Sequence, residues 1–206
     1  MASAPGVIVA SPKLPVRTLG ELAKLPEALD GKMNYASSGI GSASHLQTEY
    51  LLKLTGIRMA HIPFKSDADI MREIAVGSVH LGISPVQGAI SSITGGKVRA
   101  LAVTGSHRLK GLPDVPSLRE SDFKGIAGID PYTYYGLLGP PGLPRPIISK
   151  LNEAVNKVSA MPEVIARMQE QLYFEPEAGP PERLRKYIQD DLGKWNAFGK
   201  LVKLTE

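Results

Sequence analysis

The stretch Tyr35-Ala-Ser-Ser-Gly-Ile-Gly-Ser-Ala-Ser-His45 places four serine hydroxyls and two glycines between an extended segment and a helical one. The preceding Lys32 to Ala36 favours a strand, and the apolar residues Leu46, Tyr50, Leu51 and Leu54 favour a helix that Gly56 ends. In open α/β sheets, ligands bind at turns beyond the carboxyl ends of strands. The stretch therefore predicts a strand, a binding turn and a helix.

The same strand-turn-helix pattern repeats after this unit. Strands are predicted at Arg58 to Ile62, Val79 to Ile83 and Val98 to Val103, and the intervening helices end near Gly77 and Gly95. Strands that alternate with helices imply a largely parallel sheet covered on both faces. We therefore expect an α/β fold.

The flanks of the chain lack this alternation. Thr18 and Glu21 form a Thr-x-x-Glu capping pattern for a short helix. Leu109 to Ile129 shows no sustained period and predicts a long connection, after which a strand at Tyr134 to Leu138 leads into helical segments. We divide the chain into a lead-in and hinge strand at 1–30, an α/β lobe at 31–106, and a return connection with helices at 107–206.

Composition excludes several classes of protein. A chain of 206 residues with 43% hydrophobic content can bury a sizeable core. The net charge of +4 is spread along the chain, so we expect no nucleic-acid partner. The absence of cysteine excludes disulfides and thiolate chemistry. No apolar run approaches the roughly 20 residues that span a bilayer, and we expect no signal peptide in this chain because Met1 to Ser11 lacks a basic start.

The turn after the first strand has the composition of an anion cradle. Gly39 and Gly41 let the backbone curl so that N–H groups converge, and the first turn of the helix adds unpaired donors and a positive dipole end. We predict that this turn binds a carboxylate or phosphate through Ser37, Ser38, Gly39, Gly41 and Ser42. Alternatively, Ser42 or Ser44 only caps the helix. The two interpretations are compatible.

Two later turns contribute further candidates. Phe64, Lys65, Ser66 and Asp67 close the second unit and Ser84 closes the third, so the three polar turns should surround one crevice. Lys65 can supply positive charge, and we expect Asp67 to be a helix N-cap. His45, one turn inside the first helix, either donates to the ligand or packs.

Other chemistries lack their motifs. The third glycine of a dinucleotide fingerprint would fall on Ser44, and neither P-loop spacing nor Gly-x-Ser-x-Gly occurs. His45, His61, His80 and His107 lie on separate elements, which argues against a metal site. Ser38 with His45 could serve as nucleophile and base, but no orienting acid accompanies them. We expect no catalytic residue, no metal and no cofactor, and conclude that the chain is not an enzyme.

Longer segments resemble the solute-binding receptors of tripartite tricarboxylate transporters, the Bug family. The segments that carry the resemblance are Asn34-Tyr-Ala-Ser-Ser-Gly-Ile-Gly-Ser-Ala-Ser-His-Leu46, His61-Ile-Pro-Phe-Lys65, Gly96-Lys-Val-Arg-Ala-Leu-Ala-Val-Thr104, Leu112-Pro-Asp-Val-Pro-Ser117 and Tyr135-Gly-Leu-Leu-Gly-Pro-Pro-Gly-Leu-Pro144. The resemblance implies a periplasmic protein with a type II periplasmic-binding fold. Two lobes would close on a small carboxylate, held by the Ser-Ser-Gly turn, and deliver it to membrane permease subunits.

The chain also departs from that family. An N-terminal strand-helix lobe segment with a Pro-Gly-Gly turn is expected but not found, so 31–106 should be the complete ligand-binding lobe and 107–206 the helical part of an incomplete one. Gly6 to Val9 would then lack a complete sheet, and bare helix faces would favour self-association.

The departures leave the ligand open. Phe64-Lys65-Ser66-Asp67 stands where the family often has Tyr-Lys-Gly-Gly, and Ile83-Ser84 stands where it often has Phe-Asp. A di- or tricarboxylate, an amino acid and an aromatic acid all remain candidates. The alternative function is a ligand-sensing module like the effector domains of LysR-type regulators, which share the general fold.

Overall fold

A computed structural model of the chain describes residues 2–105, 107–123, 126, 133–171 and 173–199, without the side chains of 197–199. The chain forms two compact units. We call Pro5–Thr133 the sheet unit, and Met1–Ala4 together with Tyr134–Thr205 the helical unit.

The elements follow one another in a mostly alternating order. Along the chain they are β1 (Ala2–Ala4), β2 (Gly6–Ala10), α1 (Leu19–Leu22), α2 (Pro26–Leu29), β3 (Met33–Ser37), α3 (Ala43–Thr55), β4 (Met59–Pro63), α4 (Asp67–Val76), β5 (Leu81–Pro85), α5 (Val86–Thr94), β6 (Arg99–Val103), β7 (Thr133–Tyr135), α6 (Arg145–Ser159), α7 (Pro162–Ala166) with a following π-helix (Arg167–Gln171), β8 (Glu175–Pro176) and α8 (Pro181–Gly199). The predicted strands and helices of the three central units are present, with ends shifted by one or two residues.

The sheet unit is built on a five-stranded sheet of order β4-β3-β5-β2-β6. β3 pairs in parallel with β4 and β5, whereas β2 runs antiparallel to its two neighbours, β5 and β6. Every residue of β2 is buried. The expectation that Gly6 to Val9 would lack a complete sheet is therefore wrong, because this segment is an interior strand of the sheet.

Helices cover both faces of this sheet, as predicted. On one face, Leu51 and Leu52 of α3 share a core with Tyr35, Leu81 and residues of α1 and α2. On the other face, α4 packs so closely that a Cβ on Gly82 of β5 would lie 3.0 Å from Ile74 Cδ1. Neighbouring residues of β5 therefore face different helices, which follows from the two-residue period of a strand.

The helix boundaries follow the predicted capping signals. The Thr18 hydroxyl accepts a hydrogen bond from the Glu21 N–H at 3.1 Å. Gly56 and Gly77 end α3 and α4 with φ angles of 73° and 81°. This left-handed conformation suits glycine because other residues have a Cβ that clashes there.

Outside the central units, the predictions are met less completely. Of the predicted connection Leu109 to Ile129, residues 124–125 and 127–129 lie outside the described residues. Its described part follows the sheet, with the Val103 N–H bonded to the Pro116 carbonyl at 2.9 Å. The strand predicted from Tyr134 to Leu138 is shorter, because β7 ends at Tyr135.

The helical unit combines a small sheet with long amphipathic helices. β7, β1 and β8 form three strands in that order. α6 is tied to the segment before α8 by Asn156, whose side chain accepts from the Gly179 N–H at 3.0 Å and donates to the Gly179 carbonyl at 3.1 Å. No residue of α6 is buried. This helix therefore leaves much of its apolar stripe exposed.

We expect Ile8→Ala to destabilise the chain by about 2–5 kcal/mol, because Ile8 is 1% exposed in β2 and its truncation leaves a cavity. Val76→Ala, at a residue that is 53% exposed, should change the free energy of unfolding by less than about 0.5 kcal/mol. Urea denaturation measures both. Equal effects of the two substitutions would contradict the interior position of β2.

Candidate functional site

Three polar turns meet at one edge of the five-stranded sheet. β3, β4 and β5 run parallel, so their carboxyl ends lie side by side. The Phe64 N–H donates to the Ser37 carbonyl at 2.8 Å, which joins the turns after β3 and β4. The Asp67 carboxyl and the Ser84 hydroxyl both lie beside Gly88, at 3.4 and 3.3 Å from a Cβ built there, which brings the turn after β4 next to the end of β5. We call residues 37–42, 64–67 and 84–85 the edge turns.

The edge turns do not direct all their side chains to one place. The Ser37 hydroxyl lies 2.6 Å from His61 Nε2, on the face that α3 covers, whereas the Ser84 hydroxyl contacts Asp67 at the start of α4, on the opposite face. Both serines are 0% exposed. Their hydroxyls are therefore buried on different faces of the sheet. Ser38, Gly41 and Lys65 are exposed at the edge itself.

The first edge turn is held in shape by a network of serines. Ser44 Oγ accepts from the Ser38 N–H at 3.0 Å and lies 3.1 Å from Ser38 Oγ and 3.2 Å from Ser42 Oγ. Ser42 is the N-cap of α3, since its hydroxyl accepts from the His45 N–H at 3.3 Å. Capping is thus one role of Ser42, and Ser44 joins the turn to the helix.

Two glycines give this turn its open surface. Gly39 and Gly41 have φ angles of 118° and 75°, which residues with a Cβ rarely adopt. A Cβ built on either glycine would meet nothing within 4 Å. The backbone here therefore borders open space that a ligand can enter.

The N-termini of the helices differ in their charge. α3 has no acidic residue in its first turn, and its Ala43 and Ser44 N–H groups have no intrahelical acceptor. The first turn of α4 contains Asp67 and Asp69. An anion is therefore favoured at the start of α3 and disfavoured at the start of α4.

Asp67 does not have the predicted role. The N-cap of α4 is Ser66, whose hydroxyl accepts from the Asp69 N–H at 3.2 Å and donates to the Asp69 carboxylate at 2.7 Å. The prediction that Asp67 is the N-cap is wrong, because Ser66 has the extended backbone of a cap and Asp67 is already helical. Burial raises the pKa of Asp67, while its bond to Ser84 acts in the opposite direction.

A stack of rings lies beneath the first edge turn. The centroids of His45 and His61 are 4.0 Å apart, and those of His61 and Tyr35 are 4.9 Å apart. The Gly41 N–H donates to His45 Nδ1 at 3.0 Å. His45 is 3% exposed, so the structure favours its packing role. It supports the turn through Gly41.

Sequence reasoning missed His61 and the stack. The signal was available in the strand period, because Tyr35 and His61 lie opposite each other in the parallel pair β3 and β4. The Tyr35 hydroxyl donates to the Glu49 carboxylate at 2.5 Å, and the stack therefore ends on an acidic group. The pKa of His61 is lowered by burial first and by the nearby His45 second, with Glu49 acting in the opposite direction.

The arrangement offers little for catalysis. Ser37 and His61 have the spacing of a nucleophile and its base, but Ser37 is fully buried. Ser38 contacts Ser44, while His45 accepts from Gly41. Within the described part of the chain, no group of three or more His, Cys, Asp or Glu side chains is placed to hold a metal ion. No described helix is both long and apolar enough to cross a bilayer.

Comparison with known proteins identifies relatives along nearly the whole chain. Residues 1–204 match the model of the tripartite tricarboxylate transporter family receptor. This is a family of receptors, in agreement with the prediction that the chain is not an enzyme. A protein encoded in the tcbD-tcbE intergenic region of Pseudomonas sp. strain P51 is 29% identical over 194 residues, which are 94% of this chain and 57% of that protein. The chain thus spans little more than half the length of this relative.

Solved structures of similar fold include ligand complexes. Rpa4515 of R. palustris with adipate has a TM-score of 0.86 and 26% identity, over 97% of this chain and 66% of that one. The periplasmic binding protein BugD has a TM-score of 0.84 and 30% identity, over 98% and 67%. MatC of Rhodopseudomonas palustris with malate has a TM-score of 0.81 and 26% identity, over 96% and 67%. These matches confirm the predicted periplasmic-binding-protein fold class.

Because burial lowers the pKa of His61, the unfolded chain takes up a proton at a higher pH than the folded chain. The stability that the neutral His61 side chain gives the folded chain is fully present above about pH 6.5, and it is lost as the pH falls through the lowered pKa of His61. We expect the chain to be less stable at pH 5.5 than at pH 7.5 in urea denaturation. His61→Asn should reduce that difference, whereas His107→Asn, at an exposed position, should preserve it. An unchanged difference in His61→Asn would contradict this assignment.

Proposed function

We propose that this chain, which belongs to the tripartite tricarboxylate transporter family of receptors, binds a small carboxylate at the N-terminus of α3. The observation that carries the proposal is the charge at the helices that begin at the edge turns. α4 starts with two aspartates, and α5 has Asp67 packed beside it at Gly88. By contrast, α3 starts without an acidic residue. An external anion is therefore best accommodated at α3.

The groups around the start of α3 suit a carboxylate. The N–H groups of Ala43 and Ser44 are available as donors, and the exposed Ser38 can turn its hydroxyl from Ser44 to a ligand. A hydrogen bond to a charged group is worth about 1.5–3 kcal/mol. The Lys65 side chain, exposed at the adjacent turn, adds positive charge to the approach. Of the predicted binding residues, Ser38, Gly39, Gly41 and Ser42 contribute the surface, and Ser37 and His45 support it from below.

The relatives support the class of ligand and the setting. Rpa4515 and MatC were solved with adipate and malate, which are both small dicarboxylates. Since BugD is a periplasmic binding protein, we assign this chain to the periplasm and to delivery of its ligand to membrane permease subunits. The family match favours this role over a ligand-sensing effector module.

We further propose that the chain self-associates through the helical unit. A groove of about 990 Å³ there is lined by apolar residues together with charged ones such as Arg145 and Glu177, and its Leu137 and Leu138 are 68% and 73% exposed. Ile147 and Leu151 of α6 are 46% and 45% exposed. Exposed apolar patches of this kind favour association, because covering them removes apolar surface from water.

Ser38→Ala should weaken binding of malate or adipate by about 1.5–3 kcal/mol, or roughly 10- to 150-fold in Kd, because it removes a donor to the carboxylate. Gly41→Val should weaken it as well, because it strains a backbone φ of 75° and covers the turn. Ser91→Ala, at an exposed serine near the end of α5, is the control. Calorimetry in which both site variants bind as tightly as the control would move the ligand to another place.

The double variant Leu137→Ser/Leu138→Ser should reduce self-association, since it replaces the most exposed large apolar pair of the groove. Light scattering at increasing protein concentration should give a rising mean mass for the wild type and a smaller rise for the variant. A wild type that stays monomeric at all concentrations would contradict this part of the proposal.

A further inference from the structure

Asp67 brings a carboxyl group into the middle of the edge turns. A Cβ built on Gly88 would lie 3.4 Å from Asp67 Oδ2 and 3.3 Å from Ser84 Oγ, so the carboxyl sits between the beginnings of α4 and α5. Asp67 is half-buried. Its polar neighbour there is the neutral Ser84 hydroxyl. The turn after β4 thus presents an acidic group next to the surface proposed for an anion.

No cation neutralises this carboxyl within the described part of the chain. The ion pairs found there do not include Asp67, whereas Asp69, two residues later, is paired with Arg72 at 2.9 Å. Burial raises the pKa of Asp67, as expected for a carboxyl that loses water without gaining a positive neighbour. The two aspartates of one helical turn therefore differ: the charge of Asp69 is compensated and that of Asp67 is not.

Asp67 is also close to the proposed carboxylate site. It follows Phe64 by three residues, and the Phe64 N–H is bonded to Ser37 in the first edge turn. Three residues of chain span at most about 10 Å. β5 is also the direct neighbour of β3, with Gly82 opposite Ala36, so Ser84 ends its strand about 5 Å from the end of β3. A four-carbon ligand held by one carboxylate at α3 can therefore extend its other end toward Asp67, which lies beside Ser84.

We propose that Asp67 sets the ligand specificity of this site: it disfavours a second carboxylate and favours a ligand whose far end is neutral or carries an ammonium group. The inference rests on the proposed function, because it needs the first carboxylate to lie at α3. At separations of about 6–10 Å and an effective dielectric of about 20, one unit charge changes affinity roughly 15- to 100-fold. The preferred ligand class is then an amino acid or a monocarboxylate with a polar far end.

Three ligands of equal length separate the charge of the far group from its size. Succinate, succinamate and 4-aminobutanoate carry a negative, a neutral and a positive far end on a four-carbon chain. In calorimetric titrations at pH 7.5, we expect the wild type to bind succinate roughly 15- to 100-fold more weakly than succinamate, and 4-aminobutanoate at least as tightly as succinamate. Asp67→Asn should bring the three affinities together, mainly by strengthening the binding of succinate.

Asp69→Asn is the matched control, since it removes the same charge from the same helical turn. It should leave the wild-type order of affinities in place. Thermal denaturation checks that both variants are folded, and Asp67→Ser is a second replacement if Asp67→Asn is not. A wild type that prefers succinate, or an equal gain in succinate affinity in Asp67→Asn and Asp69→Asn, would overturn the role of Asp67. Failure of all three ligands to bind the wild type would instead contradict the proposed function, and this inference with it.

Discussion

The parallel pairing of β3 with β4 and β5 is the constraint on which the rest of the site depends. Because these strands run in one direction, their following turns and the helices after them begin at one edge of the sheet. Each helix brings the positive end of its dipole there. At α4 that end meets the helix's own aspartates, whereas α3 begins with uncharged or aromatic side chains. The start of α3 is therefore better suited to an external anion than the start of α4.

Hydrogen bonds within the chain hold the backbone of the turn before α3 in shape. Ser44 and His45, both buried on α3, hold the backbone of the turn through the N–H groups of Ser38 and Gly41. The rings of His61 and Tyr35 lie beneath His45 and limit its movement. A turn that is ordered in advance loses less entropy when it binds. Buried polar groups here thus fix the shape of the exposed surface.

Local signals in the sequence were sufficient for much of the fold. Gly56, Gly77 and the Thr18 cap mark helix ends that the structure confirms, because such signals act within one or two turns of chain. The interior position of β2 was missed, since its partners β5 and β6 are some 70 to 100 residues away and pairing over that distance leaves no local pattern. The choice between Ser66 and Asp67 as N-cap was also missed, because both residues make good caps and only the backbone angles distinguish them.

By itself, the sequence determined that strands alternate with helices, that the turn at Ser37 to Ser42 needs its glycines, and that the family motifs extend along most of the chain. Only the tertiary structure decided which hydroxyls are exposed and which are buried. Ser37 and Ser84 are both serines at strand ends, yet they point to opposite faces of the sheet and are buried. The same is true of charge, since Asp67 and Asp69 look alike in the sequence, yet Arg72 and Ser66 both contact Asp69 while Asp67 is partly buried beside Ser84. The direction of a side chain depends on the face of the sheet that its position occupies, and the compensation of a charge depends on which neighbours contact it, so residue type alone specifies neither.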